Sequence, residues 1–492
     1  MNFIGRDLFT APLLETLHQF READNLGSLI RPVVTDVRDV LELLEKKDVA
    51  GQLLLHQIHQ KVLKVLRQAD YLSPKYQVAV ANPPYMGGKG MNGLLGSWVK
   101  DNFPSSKSDL FAVFIERNLE LCLKQGMVGM ITMQSWMFLS SFEKLRIQLL
   151  ARNTITSMAH LGTRAFDSIG GEVVSTTAFV LENKSKESYK GSYFRLVDYN
   201  SEAAKEKAIR EAISNPNCGW FYRASSEDFE KIPGSVIAYW INSIFLRIYS
   251  ESTLLDEVAQ PKKGLITLKD ALFIRQWYET SSIKNKYDAS TREEAISSGC
   301  KWFPITKGGG YRKWFGNNST LVKWENDGAE LKNFIVKRYG GGSYTKEIRS
   351  ENHYFQSMVA WGLVSSAKPS FRYIDQGFLI GNSGPCITDS DSPLEVLATV
   401  NSTVGEYVLS LFCPTINFSP GDLSKIPVLT NLKENKHLEN IKALVEEARL
   451  DWNGSELSWD FKRFPLLLEN CRRATLKLTY FDLYSYWLNS TI

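Results

Sequence analysis

The chain has 492 residues, 43% of them hydrophobic and 23% charged, with a formal net charge of +4. That length allows two or three domains, and that balance excludes a disordered or fibrous chain. Six cysteines occur with none at C-x-x-C spacing, which excludes the usual zinc and disulfide patterns and suits free thiols in a reducing cytoplasm. No apolar run of membrane-spanning length and no leader pattern is visible, so a cytoplasmic chain without a membrane span is expected.

Taken in chain order, apolar residues at helical spacing predict helices over 12–22 and 36–69. A small apolar strand is expected over 76–81, followed by a Gly-rich loop. The stretch 108–126 reads as a helix with Ser108 at the N-cap and Gly126 just past the C-terminus. "MVGMIT" (127–132) is apolar all round, as a parallel strand buried on both faces would be. Residues 140–153 read as helix, 154–160 as strand, and the β-branched stretch 173–183 as strand. Strand and helix alternate, which predicts an α/β, doubly wound, Rossmann-like domain closing near Asn183. From about 187 the segments shorten and Gly, Ser and Asn become common. A separate α+β domain is expected over 187–430, then a helical, charged segment over 431–492.

The strand over 76–81 runs into Asn82-Pro83-Pro84-Tyr85. In an open parallel sheet, ligands bind at the carboxyl ends of strands. Asn82 offers a carbonyl acceptor. Pro83 has no N–H and Pro84 fixes the chain beside it, so the Pro83 carbonyl is held rigid and free. Two acceptors aimed at one point match the two N–H donors of an exocyclic amine, and Tyr85 offers a face for a planar group. A Pro-Pro turn with no such role is the structural alternative.

Other patterns are weaker. Residues 301–350 hold ten Lys/Arg against four Asp/Glu, a local balance of +6, with aromatic residues interleaved. Phosphates and bases suit that mixture, and so does a solvated loop face. Lys307, Arg312, Lys313, Lys337 and Arg338 are the candidates for contact with double-stranded DNA. His56 and His59 have no acidic or cysteine partner at ligand spacing, so no metal site is expected. Asp327, Glu330 and Lys332 resemble a nuclease triad only crudely. "GGKGMNG" (87–93) fits G-x-G-x-x-G, but it follows the wrong strand and opens no evident helix. It reads as a loop and not as a cofactor cradle.

Asn82 to Tyr85 resembles the catalytic tetrapeptide of the adenine-specific amino-methyltransferases that use S-adenosylmethionine. Residues 109–138 resemble that family's cofactor-side helix and strand, and "LGTRAF" with "GGEVVSTTAFVLEN" its late strand. "FREADNLGSLIRP" (20–32), "KWFPITKGGGYRKWFGNN" (301–318), "VKWENDG" (322–328), "PTINFSPGDLSKIPV" (414–428) and "SWDFKRFPLL" (458–467) narrow the resemblance to the adenine methyltransferases of BREX phage-defence systems. It spans about residues 3–467.

The resemblance implies direct methyl transfer to the amine of an adenine flipped out of DNA. Asn82 and the Pro83 carbonyl would hold the amine, Pro84 would fix the corner, and Tyr85 and Phe179 would stack on the base. Leu110 and Phe114 would line the cofactor's adenosine pocket. The family's Gly-rich cofactor turn has no counterpart in the first 75 residues, where Gly5, Gly27 and Gly51 stand far apart. The expectation is therefore a partial methyltransferase domain over 1–186, holding the target-base half, and a DNA target-recognition domain over 187–430. A separately encoded N-terminal piece and other phage-defence proteins are the expected partners. A DNA-binding remnant without catalysis is the alternative, and a protein-glutamine methyltransferase a third.

Overall fold

The computed structural model describes residues 10–34, 36–46, 53–167, 174–365, 368–413, 417–428 and 435–464. They form two compact units that divide between Leu246 and Arg247.

The first unit begins with helices α1 (Thr10–Gln19), α2 (Ala23–Leu26), α3 (Arg38–Glu45) and α4 (Leu53–Leu72). The single helix expected over 36–69 is thus two, and residues 47–52 between them lie outside the described residues. His59 is buried and its Nε2–H donates to the Leu44 carbonyl at 2.7 Å, which satisfies the end of α3. Strand β1 (Tyr76–Ala81) leads to α5 (Gly93–Asn102), α6 (Leu110–Leu121), β2 (Cys122–Met133), α7 (Glu143–Arg152), β3 (Thr154–Gly162) and β4 (Thr176–Glu182). Then follow β5 (Gly191–Arg195), α8 (Glu202–Ser214) and β6 (Phe221–Ala224).

The six strands form one mixed sheet in the order β1-β2-β4-β3-β5-β6. β1 pairs parallel with β2, and β3 with β5; β4 enters antiparallel between β2 and β3. The sheet continues through β5 and β6, so the first unit does not close at 183–186 as expected. "SYFR" and "FYRA" are too short for periodicity to reveal them as strands.

One face of the sheet is packed. Val128, Met130, Met158 and Phe179 are at most 4% exposed, and α6 and α7 lie on their side. The other face is only partly covered, with Ile209 of α8 over its β5 end. Accordingly β2 alternates buried and half-exposed residues from Gly126 on and is not buried on both faces. Arg117, 3% exposed, ties α6 to the N-terminal helices by donating to the carbonyls of Ser28 at 2.9 Å and Ile30 at 2.7 Å.

Two boundary expectations are corrected. Asp109, not Ser108, caps α6, and the helix stops at Leu121 because Cys122 is already extended. Gly126 lies inside β2. A Cβ there would come within 2.9 Å of the Gln77 carbonyl, so this glycine lets β1 and β2 approach.

The second unit is built on three small sheets: β7 (Thr253–Leu254) with β15 (Pro427–Val428); β9 (Ile274–Gln276), β10 (Trp302–Pro304) and β11 (Thr320–Lys323); and β8 (Gln260–Lys262), β12 (Met358–Trp361), β13 (Phe371–Ile374) and β14 (Cys386–Thr388). Phe303, Leu331, Phe355 and Met358 share its main core. The helix Asn435–Asn453 belongs to this unit. Arg449 pairs with Asp375 at 2.7 Å and lies 4.0 Å over the Phe315 ring. No boundary therefore falls at 430, and the expected helical character of 465–492 lies outside the described residues. Among the described residues no helix is long and apolar enough to cross a membrane.

His160 on β3 is buried between Gln134 Oε1 at 2.8 Å from Nε2 and the Tyr239 hydroxyl at 3.0 Å from Nδ1. Burial pushes its pKa down to about 3, with Arg195 and Lys205 adding to the effect. The folded state holds this ring neutral, so its contribution is complete above the ordinary value of 6.5 and is lost as pH falls towards 3. Urea denaturation across that range should show a steeper acid loss for the wild type than for His160→Gln. Equal slopes would contradict a neutral buried ring.

Candidate amine-binding site

Asn82 follows β1 at its carboxyl end, and no residue from 82 to 86 is in a helix or strand. Asn82 is exposed and its side chain makes no hydrogen bond among the described residues. Pro83 is buried, and its carbonyl accepts no backbone hydrogen bond there. Two acceptors therefore stand free on a segment that two prolines stiffen.

Asp109 fixes the far side of the corner. Its Oδ1 accepts from Met86 N at 3.0 Å and from Phe111 N at 3.3 Å, so one oxygen both pins the residue after Tyr85 and caps α6. The backbone reinforces the clamp: Leu110 N donates to Met86 O at 3.0 Å, and Gly88 N to Ser108 O at 3.1 Å. Burial raises the Asp109 pKa, with the N–H groups of Phe111 and Met86 pulling the other way. Sequence reasoning missed this residue, although a Ser-Asp pair before an apolar helix is an N-cap signal.

Tyr85 is 36% exposed. Its ring meets the Phe111 ring in a T-shaped pair, with centroids 6.0 Å apart and planes at 82°, and Phe111 in turn packs on Phe142 at 5.6 Å. Burial raises the Tyr85 hydroxyl pKa, so the ring stays neutral. Asn82, Pro83, Pro84 and Tyr85 thus remain together as one half-exposed corner.

Other expected residues lie elsewhere. Phe179 is 3% exposed in mid-β4, packs against Trp136 at 5.0 Å, and lines the depression that Asn82 borders. Leu110 is 7% exposed, and both it and Phe114 pack with the N-terminal helices. The loop 87–93 does open a helix, against expectation: Asn92 Oδ1 accepts from Leu95 N at 2.9 Å and caps α5.

In the second unit the five candidate cations split. Lys307 pairs with Asp270 at 3.0 Å, Arg312 with Asp451 at 2.7 Å, and Lys313 donates to the Asn401 carbonyl at 2.8 Å. These three tie the fold together. Lys337 and Arg338 are exposed at the end of the helix Glu325–Arg338 and make no ion pair among the described residues. Beside them Lys346 lies 5.1 Å over the Tyr339 ring, and Arg349 is exposed. Asp327 is enclosed by Arg292 and Lys332, each at 2.7 Å, which makes it part of an ion-pair network and not a nuclease site.

Asp109→Ala removes a helix cap and leaves the Met86 N–H without its partner. The loss should be about 1–3 kcal/mol in urea unfolding. Asp109→Asn keeps one acceptor oxygen and should recover most of it. Equal losses for the two variants would mean that charge, not the acceptor, holds the corner.

Comparison with known proteins supplies a family context. Residues 35–166 match the family described as Eco57I restriction-modification methylase. The chain is 40% identical over 464 residues to adenine-specific methyltransferase BrxX of Escherichia coli O9:H4 (strain HS), covering 92% of this chain and 36% of the relative. It is 36% identical over 477 residues to adenine-specific methyltransferase PglX of Lacticaseibacillus casei (strain Zhang), covering 94% and 39%. The chain thus spans between a third and two fifths of the length of these relatives. The type IIL restriction-modification enzyme MmeI in complex with DNA superposes on 97% of this chain and 77% of its own, with TM-score 0.49 and 11% identity. Over more than nine tenths of its length, then, the chain is a sequence relative of the adenine-specific methyltransferases BrxX and PglX.

Proposed function

We propose that this chain carries the base-binding half of a DNA adenine methyltransferase. The observation that carries the reading is the pair of unengaged acceptors, the Asn82 amide oxygen and the Pro83 carbonyl, on a corner clamped by Asp109 beside the Tyr85 ring. The names of the sequence relatives support it.

In this reading the two acceptors take the two N–H groups of an adenine amine. As that nitrogen shares its lone pair and gains positive charge, both hydrogen bonds strengthen, so the corner favours the transition state over the ground state. Flipping a base from the duplex costs a few kcal/mol, and stacking on Tyr85 returns about 1–3 kcal/mol of it. The recognition role falls to the second unit, where Lys337, Arg338, Lys346 and Arg349 form an exposed cationic surface with Tyr339 for the DNA backbone.

S-adenosylmethionine, when bound, would supply an electrophilic methyl group. The described residues do not fit it by themselves. The surface depression that Asn82 borders is lined mostly by apolar residues, with no charged side chain for the donor's amino-acid end. That observation favours a second reading for the chain on its own, as a DNA-binding protein without turnover. Calorimetry of the isolated chain with S-adenosylmethionine should give no micromolar binding; a micromolar constant would contradict the misfit.

Two further outcomes follow for a preparation that methylates DNA. Asn82→Ala should lower turnover by about 100-fold or more, as loss of a preorganised polar partner does. Tyr85→Phe should be mild and Tyr85→Ala severe; equal inactivity of the two would show that the hydroxyl, not the ring face, is used. For DNA binding, Lys337→Ala with Arg338→Ala should flatten the log–log salt dependence by nearly one unit for each phosphate no longer neutralised. An unchanged slope would remove this surface from the DNA interface.

A further inference from the structure

One buried cation of the second unit stands without a counter-charge among the described residues. Arg372 of β13 is 2% exposed, yet it takes part in no ion pair there. Its one side-chain hydrogen bond runs from Nη2 to the Lys307 carbonyl at a long 3.5 Å, so most of its N–H donors lack an acceptor. Burial pushes its pKa down to about 10, which leaves it protonated at neutral pH. The carboxylates near its neighbours are already used: Lys307 pairs with Asp270 and Arg312 with Asp451. An uncompensated buried charge is strongly unfavourable, and such a group in a fold points to an ion that it serves.

A glycine loop begins at this side chain and ends at the same residue's backbone. Lys307 opens it by its contact with the guanidinium. Trp314 closes it on β13: Trp314 N donates to Phe371 O at 2.9 Å, and Tyr373 N to Trp314 O at 2.7 Å, on either side of Arg372. Trp314 has φ +71°, a left-handed conformation that a bulky residue keeps only where its surroundings hold it. Between these anchors the backbone N–H groups of Gly308, Gly309, Gly310 and Tyr311 make no hydrogen bond among the described residues. Close packing explains two of the glycines. A Cβ at 308 would come within 3.0 Å of the Ser383 carbonyl, and one at 309 within 2.7 Å of the Asn317 side chain. Gly310 has no such reason: a Cβ there would meet nothing within 4 Å, and its φ is not positive. What a bare backbone supplies at Gly310 is an uncovered N–H.

We propose that loop 308–311 and Arg372 form an oxyanion site that takes a single phosphate group, as a DNA backbone or a small phosphate compound presents it. The backbone N–H groups would receive the oxygens, and the guanidinium would neutralise the charge. The next helix starts only at Glu325, so the loop lacks the helix N-terminus of a nucleotide phosphate loop, and one phosphate suits it better than a chain of them. The site lies wholly within the second unit and needs no methyl transfer. It and the proposed chemistry can therefore fail separately.

The test titrates the full 492-residue chain with inorganic phosphate at constant ionic strength, chloride making up the balance. Phosphorus NMR and thermal melting should both show saturable binding. Arg372→Met should lose the response. Gly310→Glu sets a carboxylate at an exposed, open position; it should weaken phosphate binding by about tenfold or more and melt like the wild type in chloride. A short DNA duplex that displaces the phosphate would identify a backbone phosphate as the occupant, and a duplex that binds alongside it a small phosphate compound. Equal melting in phosphate and chloride would overturn the site. So would a rise that wild type and Gly310→Glu share equally, since that is the general exclusion effect of phosphate on folded proteins.

Discussion

The candidate site depends on one carboxylate oxygen. Asp109 Oδ1 receives N–H groups from both sides of a chain reversal, Met86 just after the corner and Phe111 in the first turn of α6. Two N–H groups on one acceptor oxygen join the corner to the helix start, and partial burial strengthens both hydrogen bonds. With the corner and the helix start joined in this way, Phe111 is fixed under Tyr85, and Phe142 under Phe111. The acceptors of Asn82 and Pro83 need no partner of their own in the fold because rigidity comes from elsewhere. That leaves them free for a ligand.

A second constraint is set by the sheet. A helix layer on one face supplies the core, and α8 reaches only the β5 end of the other. The apolar residues left open are continuous with the corner. Site and bare face are therefore neighbours by construction: β1 is both the edge strand and the strand that ends at Asn82.

Much of this was legible in the sequence, and the parts that were not share a cause. The Asn82 corner was legible because proline geometry is local and survives any packing. Most elements from 76 to 182 were legible because their apolar patterns are long enough to carry a period, but α5, read as part of a Gly-rich loop, was not. β5 and β6 were not: strands this short carry no period, and they took the expected domain boundary with them. Phe179 read as a platform, yet strand alternation around Val180 turns its ring into the core, and a one-residue difference in register decides that. Lys307, Arg312 and Lys313 read as DNA contacts because sequence shows charge but not partners; Asp451 lies 139 residues from Arg312.

The central claim is that Asn82 and Pro83 hold an exocyclic amine while Tyr85 holds the ring that bears it. The most direct measurement is an NMR titration of the chain with adenosine and with purine riboside, which lacks the amine. Signals of the Asn82 side-chain amide and the Tyr85 ring are followed. The account predicts saturable shifts of both with adenosine, and with purine riboside a weaker response confined to the Tyr85 ring. Equal responses to the two nucleosides, or none at Asn82, would contradict it.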